Sequence, residues 1–132
     1  MDAQMIFNTV ATHLLTQGCQ SLKPNGNCAY RGENGTKCAV GVLISNRNYR
    51  KWMDGDRGVS ANHLVAGLDG NGDFHPTPKA VLTLAPHVDL LGRLQSIHDA
   101  DYNWRDDDLG LLKDQLRETA RQYGLNADVV PV

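Results

Sequence analysis

Cys28-Ala29-Tyr30-Arg31-Gly32-Glu33-Asn34-Gly35-Thr36-Lys37-Cys38-Ala39-Val40-Gly41-Val42-Leu43-Ile44 is the stretch on which the reading of this fold depends. Asn34-Gly35 signals a tight turn, because both residues enter the left-handed backbone region at little cost. The flanking segments, Cys28 to Arg31 and Thr36 to Ala39, are the two arms of a predicted β-hairpin. The apolar run from Cys38 to Ile44 then enters the core. Ala39 and Gly41 contribute little β-branched character, so a short buried helix after the hairpin is expected there.

Working outward, the N-terminal side carries the clearest helix. Ile6, Phe7, Val10, Ala11, Leu14 and Leu15 recur at three- and four-residue spacing across Asp2–Gln17, and Gly18 stops the pattern. On the C-terminal side, Ser45 to Gly58 is polar and reads as an exposed connection. Ser60 caps a short helix ending near Leu68, and Pro78 opens another. Val88, Leu91, Leu94 and Ile97 form the stripe of a further helix. The last helix begins at Asp106-Asp107-Asp108, whose charges suit its dipole, and buries Leu109, Leu112, Leu116, Ala120 and Tyr123 before Gly124. These elements predict a mainly α, α+β fold: one compact helical domain over residues 1–132 with a small hairpin from about Cys28 to Ala39. The expected core holds Phe7, Val10, Leu14, Val40, Leu43, Leu91, Leu94, Ile97, Leu112 and Leu116.

Composition narrows the function classes. The chain has 132 residues and a net charge of −2. Its longest apolar run is seven residues, well below the roughly twenty a membrane span needs. No secretory signal is visible at the N-terminus. Three cysteines at irregular spacing argue against a disulfide framework and for a reducing cytoplasm. Residues 23–57 carry seven bases against three acids, whereas 98–132 carry eight acids against four bases. That asymmetry makes a nucleic acid the alternative partner, bound through the basic segment 23–57.

Several constellations bear on chemistry. Asp69, Asn71 and Asp73 match the opening of a calcium loop, but Phe74 and Ala80 stand where the turn glycine and the bidentate Glu belong. His13, Cys19, Cys28 and Cys38 offer four soft ligands without a close pair, so no metal is expected. Cys28 or Cys38 with His98 and Asp99 could form a nucleophile, base and orienter, the basis of a small Cys/His-dependent enzyme. Neighbours on a helix diverge by about 100°, so His98 and Asp99 are not expected to orient one another. No catalytic residue and no cofactor is assigned. Tyr30, Arg31, Lys37, Tyr49, Arg50 and Trp52 place aromatics beside cations and form the expected partner-binding surface.

The block Cys28, Tyr30, Arg31, then Gly35, Lys37, Cys38, Ala39, Val40, Gly41, Leu43 and Ile44, followed by Leu94, Gln95, Ile97, His98, Asp99 and Trp104, resembles a group of small uncharacterised proteins of phages, prophages and bacteria. Where that group has a second cysteine after Val40-Gly41, this chain has Val42. The resemblance implies a small non-enzymatic protein that binds a host protein and inhibits or redirects it, in host takeover or anti-defence. It attaches no activity to any residue.

Overall fold

The computed structural model describes all residues, Met1–Val132. Five α-helices carry the fold: α1 (Ala3–Gln17), α2 (Ala61–Ala66), α3 (Lys79–Leu82), α4 (Val88–Asp99) and α5 (Gly110–Gln122). One-turn 3₁₀ helices punctuate the connections, among them Glu33–Gly35, Gly41–Leu43, Lys51–Asp54 and Asp101–Trp104. Asp2 caps α1 by accepting the Met5 N–H, and Gly18 ends it at φ 72°. Ser60 caps α2 as its sequence position predicts, accepting from the His63 N–H.

The core is one contiguous cluster of 24 buried residues. Helix α4 lies at its centre and packs against α1, α2 and α5. Its stripe of Leu91, Leu94 and Ile97 is buried as the period predicts. Nine of the ten expected core residues are buried, while Leu43 packs on the cluster from a half-buried position. Leu94 is fully enclosed. Replacing it with alanine should cost about 2–5 kcal/mol in chemical denaturation, because a buried isobutyl group leaves a cavity that its neighbours only partly fill.

The predicted hairpin is absent: the chain contains no strand, only the isolated bridges Leu22–Cys28 and Leu68–Phe74. The turn itself forms, with Asn34 at φ 59° and Gly35 at φ 74°. Its arms do not pair because their backbone groups have other partners. On the first arm, the Ala29 N–H goes to the Ser21 carbonyl, and the Tyr30 and Arg31 N–H groups go to the Asp54 carboxylate. On the second, the Lys37 N–H donates to Gln17 Oε1, and its carbonyl accepts from His13 and Gln17. Side chains of α1 and of the 51–54 turn thus satisfy what a ladder would have satisfied.

The apolar run does become a short 3₁₀ helix, Gly41–Leu43. Gly41 is required there, since a Cβ would meet the Tyr30 carbonyl oxygen at 2.5 Å and its Cα at 3.1 Å. Two further corrections concern connections. Segment 45–58 is not simply exposed, because Met53 is buried and Trp52 packs against the core. Helix α5 starts at Gly110, not at the three aspartates: Leu109 takes a left-handed conformation, φ 56°, and Asp108 accepts the Gly110 N–H.

Candidate functional site

The six residues expected to meet a partner divide into an inner and an outer set. Tyr30 is 5% exposed, and its hydroxyl donates to the Val59 carbonyl at 2.6 Å. Arg31 donates to the carbonyls of Gly41 and Ile44 at 2.8 and 2.5 Å, and its guanidinium lies 4.7 Å from the Tyr49 ring centroid. Tyr49 in turn donates to Asp54 Oδ2 at 2.6 Å. Tyr30, Arg31 and Tyr49 therefore converge on Asp54, which ties the 28–31 segment to the 51–54 turn. Lys37 is bound through its backbone to α1.

Arg50 is exposed, and Trp52 is half-buried. The Trp52 indole stacks on the His75 imidazole, with centroids 5.0 Å apart and planes 7° from parallel. His75 is held from behind by Asp69 Oδ2 at 2.8 Å. The other Asp69 oxygen accepts the N–H groups of Asn71 and Asp73, and hydrogen bonding, from His75 above all, holds the carboxyl below the ordinary carboxylate range. The calcium-like loop is thus an Asx-type turn whose first carboxylate is engaged by its own chain. Next to His75, the Phe74 side chain is 72% exposed.

The structure also brings together Cys28, His98 and Asp99, whose ligand atoms lie within 4.8 Å of one another. Contrary to the helical-wheel expectation, His98 Nδ1 and Asp99 Oδ1 are 2.8 Å apart. Asp99 is the last residue of α4, and Ala100 is already extended, so the carboxylate is free to fold back onto its neighbour. His98 is completely buried. Its Nε2 faces the Ser21 backbone N–H at 2.9 Å. That donor requires a lone pair on Nε2, which places the ring proton on Nδ1 and gives it to Asp99.

This tautomer settles what the trio can do. A general base for Cys28 would need a free imidazole nitrogen, and neither nitrogen is free. A metal on Nδ1 would drive the proton onto Nε2, against another N–H donor, so the set does not fit a cation. The thiol is unsuited to nucleophilic work as well: burial, the Asp99 charge and a hydrogen bond to Asp99 raise Cys28 to about 12. Burial also acts to raise Asp99, but hydrogen bonds from His98, Gln95 and Cys28 overcome it and leave that carboxyl below its ordinary range.

Cys28 and Asp99 also border a cavity of about 400 Å³ beside α4, with Cys38 and Met53 among its apolar lining. Asp54, Gln95 and Phe74 are the contributors that sequence reasoning missed. The Asp54 donors come from 24, 23 and 5 positions away, so no local pattern announces them. Phe74 was legible as a misfit in the calcium pattern, and that was its signal. No helix is long and apolar enough to cross a membrane. Comparison with protein-family models, with curated proteins and with solved structures gives no match to the chain.

Proposed function

We propose that this chain is a non-enzymatic interaction protein whose partner is another protein, engaged through the 45–58 segment and the 69–78 loop. The observation that carries this reading is Phe74, a large aromatic held 72% exposed beside the Trp52–His75 stack. The two segments approach so closely that a Cβ on Gly70 would collide with Arg57. Exposed Arg47, Arg50, Lys51 and Arg57 lie on the first of them. An exposed aromatic on one segment and several cations on the segment packed beside it have the composition of an interface, and they favour an acidic surface on the partner. The committed tautomer of His98 and the raised Cys28 thiol weigh against the small-enzyme alternative. The resemblance to phage and prophage proteins makes a host protein the partner, inhibited or redirected by the contact.

Affinity capture from a bacterial lysate with wild-type protein, Phe74→Ala and Arg50→Ala tests this. Wild type should retain a protein that both variants lose, the aromatic truncation costing about 2 kcal/mol of binding while melting temperature stays within experimental error. If the variants capture the same protein equally well, the surface is wrong. If binding is instead to DNA or RNA and falls steeply with salt, the alternative through segment 23–57 replaces it.

A further inference from the structure

The cavity beside α4 has a property that the protein's own hydrogen bonding brings out. Nearly every polar group on its wall is already paired within the fold. The Asp54 carboxylate receives the Tyr30 and Arg31 N–H groups and the Tyr49 hydroxyl. Gln95 accepts from the Val40 N–H through Oε1 and donates through Nε2 to Asp99. Ser60 caps α2, Ser96 donates to the Gly92 carbonyl, and Lys23 Nζ donates to the carbonyls of Asp54 and Gly55.

Asp99 is the exception: beyond two nitrogen donors it has only the weak thiol of Cys28. Its two nitrogen donors, His98 Nδ1 and Gln95 Nε2, converge on Oδ1, both at 2.8 Å. No nitrogen or hydroxyl of the protein reaches Oδ2, and the side chain keeps 43% of its surface exposed. The formal charge around the cavity is negative: Asp54 and Asp99 on the wall face the single cation Lys23. Cys38 and Met53, each 1% exposed, supply an apolar interior together with Val59 and Ala61. A pocket in the lower part of the usual ligand-site range, mostly apolar with one convergent anionic acceptor, selects a ligand that is apolar along its body and cationic at one end.

We propose that this cavity binds a small organic cation, an alkyl- or arylalkylammonium or guanidinium compound, with Asp99 Oδ2 accepting its N–H. His98 and Gln95 are positioning residues: they fix the carboxylate by holding Oδ1, which leaves Oδ2 for the ligand. The cavity shares Met53, Asp54 and Gly58 with the 45–58 segment, but Phe74 does not line it, so a Phe74 variant separates the two sites. It also accounts for burying a hydrogen-bonded His98 beneath an exposed carboxylate, since an unsupported aspartate at a helix end would sample several rotamers and meet a ligand less well.

The test is an amide NMR titration with 2-phenylethylammonium and agmatine as probes and 2-phenylethanol as the uncharged isostere. Saturable shifts at Cys28, Ala61, Gln95 and Asp99 are expected with at least one ammonium or guanidinium probe. Asp99→Asn should weaken that binding by about tenfold or more, the scale of a charge-assisted hydrogen bond. The new amide can still accept from His98 through its oxygen, so the fold is retained, and the variant's own spectrum reports this. Phe74→Ala should leave the titration unchanged. Equal binding of the alcohol, unchanged affinity in Asp99→Asn, or no saturable shift with any probe overturns the proposal. Tighter binding of a short lysine-bearing peptide than of either free probe also overturns it, because the cavity would then serve a partner's side chain.

Discussion

Raising the pH above about 9 should unfold this protein well before about pH 12, through groups that the fold keeps neutral. Cys28 and Cys38 are each raised from 9.0 to about 12, with burial the first cause in both. Burial also drives Tyr30 well above its ordinary value. Burial and a hydrogen bond to Asp54 raise Tyr49. The sign follows from linkage: a group whose folded pKa is raised ionises first in the unfolded chain. Its contribution is intact below the unfolded value and is lost as the pH climbs towards the folded one. Each such group removes about 1.4 kcal/mol per pH unit across its window. Cys38, almost wholly enclosed, approaches that figure, whereas half-buried Cys28 and Tyr49 fall short of it because solvent screens them. Against a typical domain stability of roughly 5–15 kcal/mol, a loss accumulating over about two to three pH units is decisive. Far-ultraviolet circular dichroism against pH should show a steep loss of helix, moved to higher pH in Cys28→Ser. A helical signal unchanged up to about pH 12 would mean that these thiols and phenols are far more accessible than their surroundings indicate.

The second large effect belongs to Asp54. Alanine at this position removes the acceptor for two backbone N–H groups and the Tyr49 hydroxyl at once. Each donor left without a partner in a partly buried site costs on the order of 1 kcal/mol or more, so a total of about 3 kcal/mol is expected. The Arg31 guanidinium would keep its carbonyl partners at Gly41 and Ile44, so the 41–44 turn should survive while the 28–31 segment loosens. Asp54→Asn should cost roughly half as much, because one oxygen remains as an acceptor. Hydrogen exchange at Tyr30 and Arg31 distinguishes the two outcomes. If both amides stay protected in the alanine variant, the carboxylate is not what holds them.

Most of the helical framework was legible because its signals are local. The stripes of α1 and α4, the Ser60 cap and the glycine stops at 18 and 124 are each written within a few residues of where they act. The hairpin misled for the same reason. Asn34-Gly35 specifies its own backbone correctly, yet whether the flanking arms pair depends on Gln17, His13 and Asp54, which compete for their amides from elsewhere in the chain. The start of α5 slipped because three aspartates serve equally well in the turn before a helix as in its first turn. Among the residues expected from composition to meet a partner, Arg50 is exposed and Trp52 half-buried, whereas Tyr30 and Arg31 have the same composition and face inward. The Cys28–His98–Asp99 grouping was nameable as a triad, but only the Ser21 N–H reveals which way the imidazole is committed, and nothing near His98 in sequence points to residue 21.

The contact between Gly41 and the Tyr30 backbone bears on how this chain could diverge. Any side chain at 41 would collide with a carbonyl oxygen and an α-carbon, neither of which can move aside without carrying along Arg31 and the Asp54 bonds. Descendants of this sequence would therefore keep Gly41, Tyr30, Arg31 and Asp54 together, whatever their partner or ligand, and exchange them only as a set. Invariant residues at these separate positions would then arise from mechanical closure of the chain alone. Selection for binding would be written instead in positions free to vary, such as Arg50, Phe74 and the cavity rim, where related proteins meeting different molecules should differ most.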